Sequence, residues 1–167
     1  MRAILLAAGE GKRLRASFNR PKPLVHLLGL SLLERNILSL KECGIKEFVI
    51  INGCYAQEIE SYLGNGTKLG VQIKYLYNPE WQLGNGVSAY TFKKEHRQDE
   101  KFILMMADHL FDLHVLREFI SQEQNLRQDQ LLLAADRNLD NVFDLDECTK
   151  VEVSGNLAKE LRSEERR

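Results

Sequence analysis

Two glycines followed by two cations form the first cluster of residues whose types and spacing suit phosphate chemistry. The segment Ala7-Ala8-Gly9-Glu10-Gly11-Lys12-Arg13-Leu14 continues directly from an apolar run over residues 2–7. Glycines let backbone N–H groups converge on an anion, and the two side-chain charges reach the same place. The loop predicts a phosphate-binding site, although glycines that only turn the chain and cations that only meet solvent would leave the same pattern.

A third cation follows in Pro21-Lys22-Pro23, where two rigid residues hold the lysine between them. Other glycine-rich phosphate motifs do not fit. In a dinucleotide-binding GxGxxG loop the third glycine would fall at Leu14, and an acidic residue would end the second strand, where Asn52 stands. A Walker A loop needs serine or threonine after the lysine, and the residue there is Arg13. The loop therefore predicts nucleotide phosphate binding of another type.

Asp108 is the candidate metal ligand. It directly follows the apolar run over residues 102–107 and precedes His109. A carboxylate at this place can hold Mg²⁺ against phosphate oxygens, which is how hard cations are bound in many nucleotide sites. The alternative is an aspartate that only caps the helix after it, but Asp112 is better placed for that cap.

A second glycine-rich segment, Gly84-Asn85-Gly86, lies just before Ser88. Backbone without side chains can approach a flat ring closely, so this segment is a candidate surface for a nucleotide base. Asn-Gly is also a common turn, which leaves a purely structural alternative open. Trp81, slightly upstream, either covers a ligand or packs at the base of the loop.

Composition narrows the class of protein. The chain has 167 residues, 44% hydrophobic and 28% charged, with a net charge of −1. It can form a core, and it lacks the basic excess of a general nucleic-acid binder. No apolar run approaches the roughly 18 residues that span a bilayer, and the three cysteines form no CxxC pair. These features predict a cytoplasmic protein with free thiols and a single domain over residues 1–167.

Short apolar runs alternate with helical patterns, which is typical of βαβ units. Ser31 and Glu34 form a capping box, and Gly44 suits the position after the end of that helix. We predict an α/β fold with a mostly parallel sheet, whose carboxyl edge gathers the glycine loop, Asn52, Asn78 and Asp108. The predicted strands are 2–7, 47–51, 71–77, 102–107, 130–135, 149–153 and 157–161, and the further predicted helices are 56–63, 86–94 and 112–120.

The pattern LAAGxGxRL followed by PKPL resembles the nucleotidyltransferases that join a nucleoside triphosphate to a sugar or alcohol phosphate. Three further stretches are similar to the cytidylyltransferase domain that makes CDP-inositol from CTP and inositol 1-phosphate. They are GNGVS at 84–88, MADH at 106–109, and ADR at 135–137 leading to DECTKV at 146–151. The resemblance covers residues 1 to about 161 and implies a Rossmann-like three-layer α/β/α fold.

The resemblance also implies roles for the site residues. Gly9, Gly11 and neighbouring amides would hold the triphosphate, while Arg13 would neutralise the β- and γ-phosphates. Lys22 would stabilise charge on the α-phosphate, and Asp108 would hold Mg²⁺, which makes Arg13, Lys22 and Asp108 the predicted catalytic residues. The implied nucleotide-binding set is Ala7, Ala8, Gly9, Glu10, Gly11, Lys12, Arg13, Lys22, Asn52, Gly84, Asn85, Gly86 and Ser88, and the acceptor-side set is Asp136, Arg137 and Lys150.

The implied reaction transfers a cytidylyl group from CTP to an alcohol phosphate, inositol 1-phosphate first, with Mg²⁺ as cofactor. The alternatives are a choline-phosphate or sugar-1-phosphate acceptor, or a shortened nucleotide-binding module with little activity. In the family the fold continues past the strand near 149–153 into a segment that completes the acceptor pocket, whereas this chain ends in SEERR. We therefore expect a shortened acceptor side and self-association, and we expect no nucleic-acid partner and no membrane segment.

Overall fold

The computed structural model describes residues 1–11, 20–142, 145 and 148–162. These residues form two compact units that divide after Gln124, and the prediction of a single domain stays a prediction. The strands are β1 (Arg2–Ala7), β2 (His26–Leu27), β3 (Leu30–Ser31), β4 (Glu47–Asn52), β5 (Gln72–Tyr77), β6 (Phe102–Met106), β7 (Lys150–Ser154) and β8 (Leu157–Arg162). The helices are α1 (Leu32–Glu42), α2 (Ala56–Leu63), α3 (Asn85–Thr91) and α4 (Leu113–Ser121), with short 3₁₀ turns at Lys22–Leu24, Thr67–Leu69, Trp81–Leu83, Phe92–Lys94, Gln122–Asn125 and Leu139–Asn141.

A parallel four-stranded sheet forms the centre of the first unit. Its strand order is β5-β4-β1-β6, and every pairing is parallel. All six residues of β1 are buried, as expected of a strand covered on both faces. The chain runs outward from β1 to β4 and β5 and then returns to β6 on the other side of β1, so the topological switch point lies between β1 and β6.

Helices cover both faces of this sheet. On one face Leu5 belongs to a buried cluster with Ile37 of α1 and Leu116 of α4. On the other face Ile4 belongs to a second buried cluster with Phe92, which directly follows α3. The three-layer α/β/α arrangement is therefore confirmed.

Helix α1 begins and ends where the sequence predicts. The Ser31 side chain accepts a hydrogen bond from the Glu34 amide, and the Glu34 carboxylate accepts one from the Ser31 amide. Gly44 has a φ of 88°, a left-handed conformation that glycine adopts at little cost after a helix end. The same helix buries Leu33, Asn36, Ile37 and Leu40, so its apolar stripe contains one amide.

Ion pairs lie at the amino edge of the sheet, beside a cavity of about 240 Å³. The Arg2 guanidinium donates to both carboxylate oxygens of Glu100 and, at 2.8 Å, to the carbonyl oxygen of Glu95. The Arg2 and Glu100 side chains are only 6% and 12% exposed. The hydrogen bond from Arg2 lowers the pKa of Glu100, and Lys74 pairs with the Glu95 carboxylate at 2.7 Å.

The second unit differs from prediction in one strand. Residues 130–135 form no regular secondary structure, so the predicted strand there is wrong. The run is apolar, but Leu131 is 83% exposed, and a strand needs a neighbouring backbone to pair with as well as apolar side chains. The predicted hairpin is confirmed as an antiparallel pair of β7 and β8, joined by a turn in which Gly155 has a φ of 61°.

Candidate active site

A cavity of about 210 Å³ lies at the carboxyl edge of the sheet, at the switch point between β1 and β6. Ligands of open α/β sheets bind at such a crevice, because the loops there separate to opposite faces. The lining combines residues from the ends of both strands with residues from two loops. It consists of Leu6, Ala7, Ala8, Gly9, Gly11, Lys22, Pro23, Asn85, Met106, Ala107 and Asp108.

The first glycine loop and Lys22 are in direct contact. Gly11 has a φ of 64°, and a Cβ placed on it would lie 2.9 Å from the Cβ of Lys22. A side chain at position 11 would therefore meet both backbone strain and the lysine. Lys22 itself starts a 3₁₀ turn with Pro23 at its first positions, and Leu24 anchors that turn in the core. The rigid backbone at Pro23 therefore fixes the position of Lys22, and the absence of a side chain at Gly11 lets Lys22 lie directly against the loop.

Lys22 and Asp108 meet at the cavity. The lysine Nζ donates to Oδ2 of Asp108 at 2.5 Å, and the His109 ring Nδ1 lies 2.8 Å from Oδ1. The hydrogen bond from His109, followed by that from Lys22, holds the pKa of Asp108 far below its usual range despite burial, which acts in the opposite direction. In turn Asp108 raises the pKa of His109. The site therefore presents an ionised carboxylate and an ammonium side by side.

The second glycine segment reaches the cavity through Asn85. Gly84 has a φ of 99° and a ψ of 177°, a region that essentially only glycine adopts. Ser88 is 2% exposed; its hydroxyl donates to the Gly84 carbonyl oxygen at 3.4 Å and accepts from Nδ2 of Asn78 at 3.0 Å. In this structure the buried Ser88 hydroxyl thus stabilises the conformation of the Gly84-Asn85-Gly86 segment. The predicted contact of Ser88 with a base stays a prediction.

Asn52 occupies a supporting position at the end of β4. It is 0% exposed, and its Nδ2 donates to the Glu60 carboxylate at 2.7 Å, while Oδ1 has no hydrogen-bond partner among the described residues. A Cβ on the next residue, Gly53, would lie 2.6 Å from the Trp81 Cβ and 2.8 Å from the carbonyl oxygen of Ala8. Trp81 therefore packs at the base of the first loop, which is one of the two alternatives for it.

The structure assigns no role to several other predicted site residues. Lys12 and Arg13 lie outside the described residues, and Glu10 is half-buried on the first loop. Asp136 and Arg137 are exposed in the second unit, where the Asp136 carboxylate accepts from the amide of Asn138 at 2.8 Å. Lys150 begins β7 in the same unit. The roles of these residues stay predictions.

Two buried amides support the site: sequence analysis names Asn78 after the third strand without giving it a role, and it does not connect Asn36 with the site. Asn78 supports the second glycine segment through Ser88, and Asn36 donates to the carbonyl oxygen of Ala107, directly before Asp108, at 2.9 Å. A single asparagine within an apolar helical stripe is a signal that could have indicated Asn36, because a buried amide needs a partner. The position of Asn78 after a strand places it at the carboxyl edge, but an asparagine there also suits an ordinary turn, so it did not indicate the contact with Ser88.

No group of three or more histidine, cysteine, aspartate or glutamate side chains suited to a metal occurs among the residues that the structure describes. Among the described residues, Asp108 is the one carboxylate that lines the cavity.

In the same described part of the chain, none of the helices has the length and apolar character needed to cross a membrane.

Comparison with known proteins agrees with this architecture. A bifunctional IPC transferase and DIPP synthase of Thermococcus kodakarensis is 35% identical over 153 residues, which is 91% of this chain and 32% of that protein. The inositol-1-phosphate CTP transferase from T. maritima is 29% identical with a TM-score of 0.60, covering 77% of this chain and 49% of that one. A putative glucose-1-phosphate thymidylyltransferase from Bacillus anthracis shares the fold, with a TM-score of 0.77 at 20% identity, over 98% of this chain and 64% of that one.

This chain spans about a third of the length of its Thermococcus relative. The sequence model described as nucleotidyl transferase matches residues 2–141, a range that contains every residue lining the cavity. The resemblance inferred from the loop motifs is therefore confirmed, and the chain belongs to the nucleotidyl transferase family.

Proposed function

We propose that this protein transfers a cytidylyl group from CTP to the phosphate of a small alcohol, with inositol 1-phosphate as the first acceptor to test. The observation that carries the proposal is the pairing of Lys22 with Asp108 at a glycine-lined cavity on the switch point of the sheet. The similarity to proteins named for inositol-1-phosphate CTP transfer supports the choice of nucleotide and acceptor.

The reaction needs positioning and charge rather than a covalent enzyme intermediate. An oxygen of the acceptor phosphate forms a bond to the α-phosphorus of CTP. The bond from that phosphorus to the bridging oxygen breaks, and pyrophosphate leaves with the electron pair. We assign the backbone amides at Gly9 and Gly11 to the triphosphate oxygens and the Lys22 ammonium to the negative charge at the α-phosphate, because all three residues line one cavity. Arg13, outside the described residues, keeps its proposed role on the outer phosphates.

The donor set fits a magnesium ion. Mg²⁺ in nucleotide sites is held by one or two carboxylates together with substrate phosphates, and Asp108 supplies an ionised carboxylate at the cavity. When bound, the ion would neutralise charge on the triphosphate. Asp108 is therefore the proposed magnesium ligand, and Lys22 supplies the neighbouring positive charge from the protein itself.

The remaining site residues divide between base and acceptor. We assign Ala7, Ala8 and the Gly84-Asn85-Gly86 segment to the nucleotide, because Asn85 and both alanines line the cavity. Asp136, Arg137 and Lys150 are proposed for the acceptor from the family resemblance. A cytoplasmic location and self-association remain predictions.

The test is a panel of CTP, UTP, ATP and dTTP against inositol 1-phosphate, choline phosphate and glucose 1-phosphate, read by pyrophosphate release with Mg²⁺. We expect release with CTP only when inositol 1-phosphate is present, and we expect Asp108→Asn to lower the rate to a small residual value and to remove the effect of Mg²⁺ on CTP binding. Faster release with another acceptor would change the substrate assignment. CTP binding without release from any acceptor would indicate a nucleotide-binding module instead.

A further inference from the structure

Asn36 lies in the buried stripe of α1, flanked by Leu33, Ile37 and Leu40. It is 2% exposed, and its side chain takes no part in the cavity lining. A buried amide among apolar residues costs free energy unless it is hydrogen-bonded. Its placement therefore depends on the partner that it finds across the interior.

That partner is the backbone next to Asp108. Nδ2 of Asn36 donates to the carbonyl oxygen of Ala107 at 2.9 Å, joining residues that are 71 positions apart in the chain. The Ala107 amide in turn donates to the carbonyl oxygen of Leu6 at 3.0 Å. Ala107, the residue before Asp108, is thus fixed to β1 through its amide and to α1 through its carbonyl oxygen.

The same helix also fixes the segment that carries Lys22. The amide of Leu32, the first residue of α1, donates to the carbonyl oxygen of Val25 at 3.1 Å. Leu24 packs in the same buried cluster as Leu33 and Ile37. Helix α1 therefore contacts both segments that carry the charged residues: the Lys22 segment by a backbone hydrogen bond and packing, and the Asp108 segment through the Asn36 amide.

We propose that Asn36 is a positioning residue for nucleotidyl transfer, setting Asp108 against Lys22 by holding the Ala107 carbonyl. This inference rests on the function proposed above. Displacing a reacting or charge-bearing group by about 1 Å can cost roughly 10²-fold in rate, so a bond to the peptide beside Asp108 acts on the chemistry at a distance. The competing account is that Asn36 only satisfies a buried carbonyl group and contributes to stability alone.

Asn36→Leu separates these accounts, because leucine fills the space and removes the donor. Lys41→Met is the matched control: Lys41 lies on the same helix and donates from Nζ to the carbonyl oxygen of Leu69 at 2.8 Å, away from the cavity. Both variants are assayed well below their own melting temperatures. We expect Asn36→Leu to lower kcat by about 10- to 10²-fold, with KM for CTP nearly unchanged and a higher Mg²⁺ concentration at half-maximal rate. Lys41→Met should change neither.

A double variant tests the route of the effect. If Asn36 acts through Asp108, adding Asn36→Leu to Asp108→Asn lowers the residual rate no further, because the group being positioned has already lost its function. Losses that multiply, or an Asn36→Leu enzyme whose kcat and Mg²⁺ response match those of Lys41→Met, would overturn the inference.

A measurement without turnover keeps this inference separate from the proposed function. The coupling between Lys22→Met and Asp108→Asn in urea unfolding reports how well the two side chains meet. We expect a small but measurable coupling in the wild type, as befits a partly exposed pair, and its loss in the Asn36→Leu background. The proposed function fails if the wild-type protein consumes no CTP. Separately, the positioning role fails if the coupling between Lys22 and Asp108 is equal in the wild-type and Asn36→Leu backgrounds.

Discussion

The two edges of the parallel sheet each carry a cavity and an ion pair, but they differ in what surrounds the charges. At the amino edge, Arg2 and Glu100 are nearly buried, and the guanidinium satisfies a backbone carbonyl as well. At the carboxyl edge, Lys22 and Asp108 are 35% and 23% exposed beside bare glycine backbone.

The difference indicates that the two pairs serve different ends. A buried ion pair with its hydrogen bonds satisfied holds elements together, and removing one partner leaves the other charge buried without a counterion. A partly exposed pair contributes little to stability, and its charges are available to a ligand. We therefore expect the amino edge to determine stability and the carboxyl edge to determine activity, and each prediction below tests one side of that division.

The largest expected effect is on catalysis at the carboxyl edge. Lys22→Ala should lower kcat by about 10²- to 10³-fold, because its ammonium is needed most where negative charge develops, with a smaller change in affinity for CTP. Pyrophosphate release and calorimetry measure the two quantities. Lys74→Met is the control from the amino edge, where Lys74 pairs with Glu95, and it should leave the rate unchanged. An undiminished kcat in Lys22→Ala would remove this lysine from the chemistry.

The next effect is on stability at the amino edge. Glu100→Gln should lower the free energy of unfolding by about 2–3 kcal/mol, because it leaves the Arg2 charge buried without its counterion. Urea unfolding measures this change, and the rate per folded molecule should stay constant. Glu47→Gln provides the control at the same edge, since its pair with Arg97 is exposed and 3.8 Å long. A similar small loss in both variants would mean that burial does not distinguish the pairs.

A smaller effect on stability and activity is expected at Gly11, whose backbone conformation brings the loop against Lys22. Gly11→Ala places a side chain at a φ of 64° and against the Lys22 Cβ, which should cost about 1–2 kcal/mol of stability and reduce kcat/KM roughly tenfold by displacing the lysine. Gly44→Ala carries comparable strain at a φ of 88° with no neighbour within 4 Å. It should cost stability alone. Equal activity of the two variants would show that the contact with Lys22 has no catalytic consequence.

The smallest effect is a pH dependence at the amino edge. Because the pKa of Glu100 is lower in the folded protein than the ordinary value of 4.5, the carboxylate contributes stability above that value and loses it as the pH falls towards the folded pKa. The difference in unfolding free energy between wild type and Glu100→Gln should therefore be constant near neutrality and shrink in acid. A difference that grows as the pH falls would contradict the sign of the shift.

How much of the fold and of the site could be predicted from the sequence depends on how far apart in the chain the interacting residues lie. The buried strands β1 and β4, the capping box of α1, and Gly11 with Lys22 all have signals within a few residues. The Arg2 pair with Glu100 spans 98 positions, and the Asn36 bond to Ala107 spans 71. Such contacts exist only once the sheet has formed. The mistaken strand at 130–135 shows the reverse case, an apolar run without a paired backbone.

The pairing of β1 with β6 has a consequence for how the site is assembled and lost. Arg2 pairs with Phe102 and Leu6 with Met106, so this edge strand closes the longest loop in the described sheet, and long closures form slowly. Fraying of β6 alone would carry Asp108 away from Lys22 while β1, β4 and β5 stay paired. Amide exchange in β6 therefore reports how often the site is intact. A ligand that spans both charged residues should slow that exchange, because it binds only the closed form.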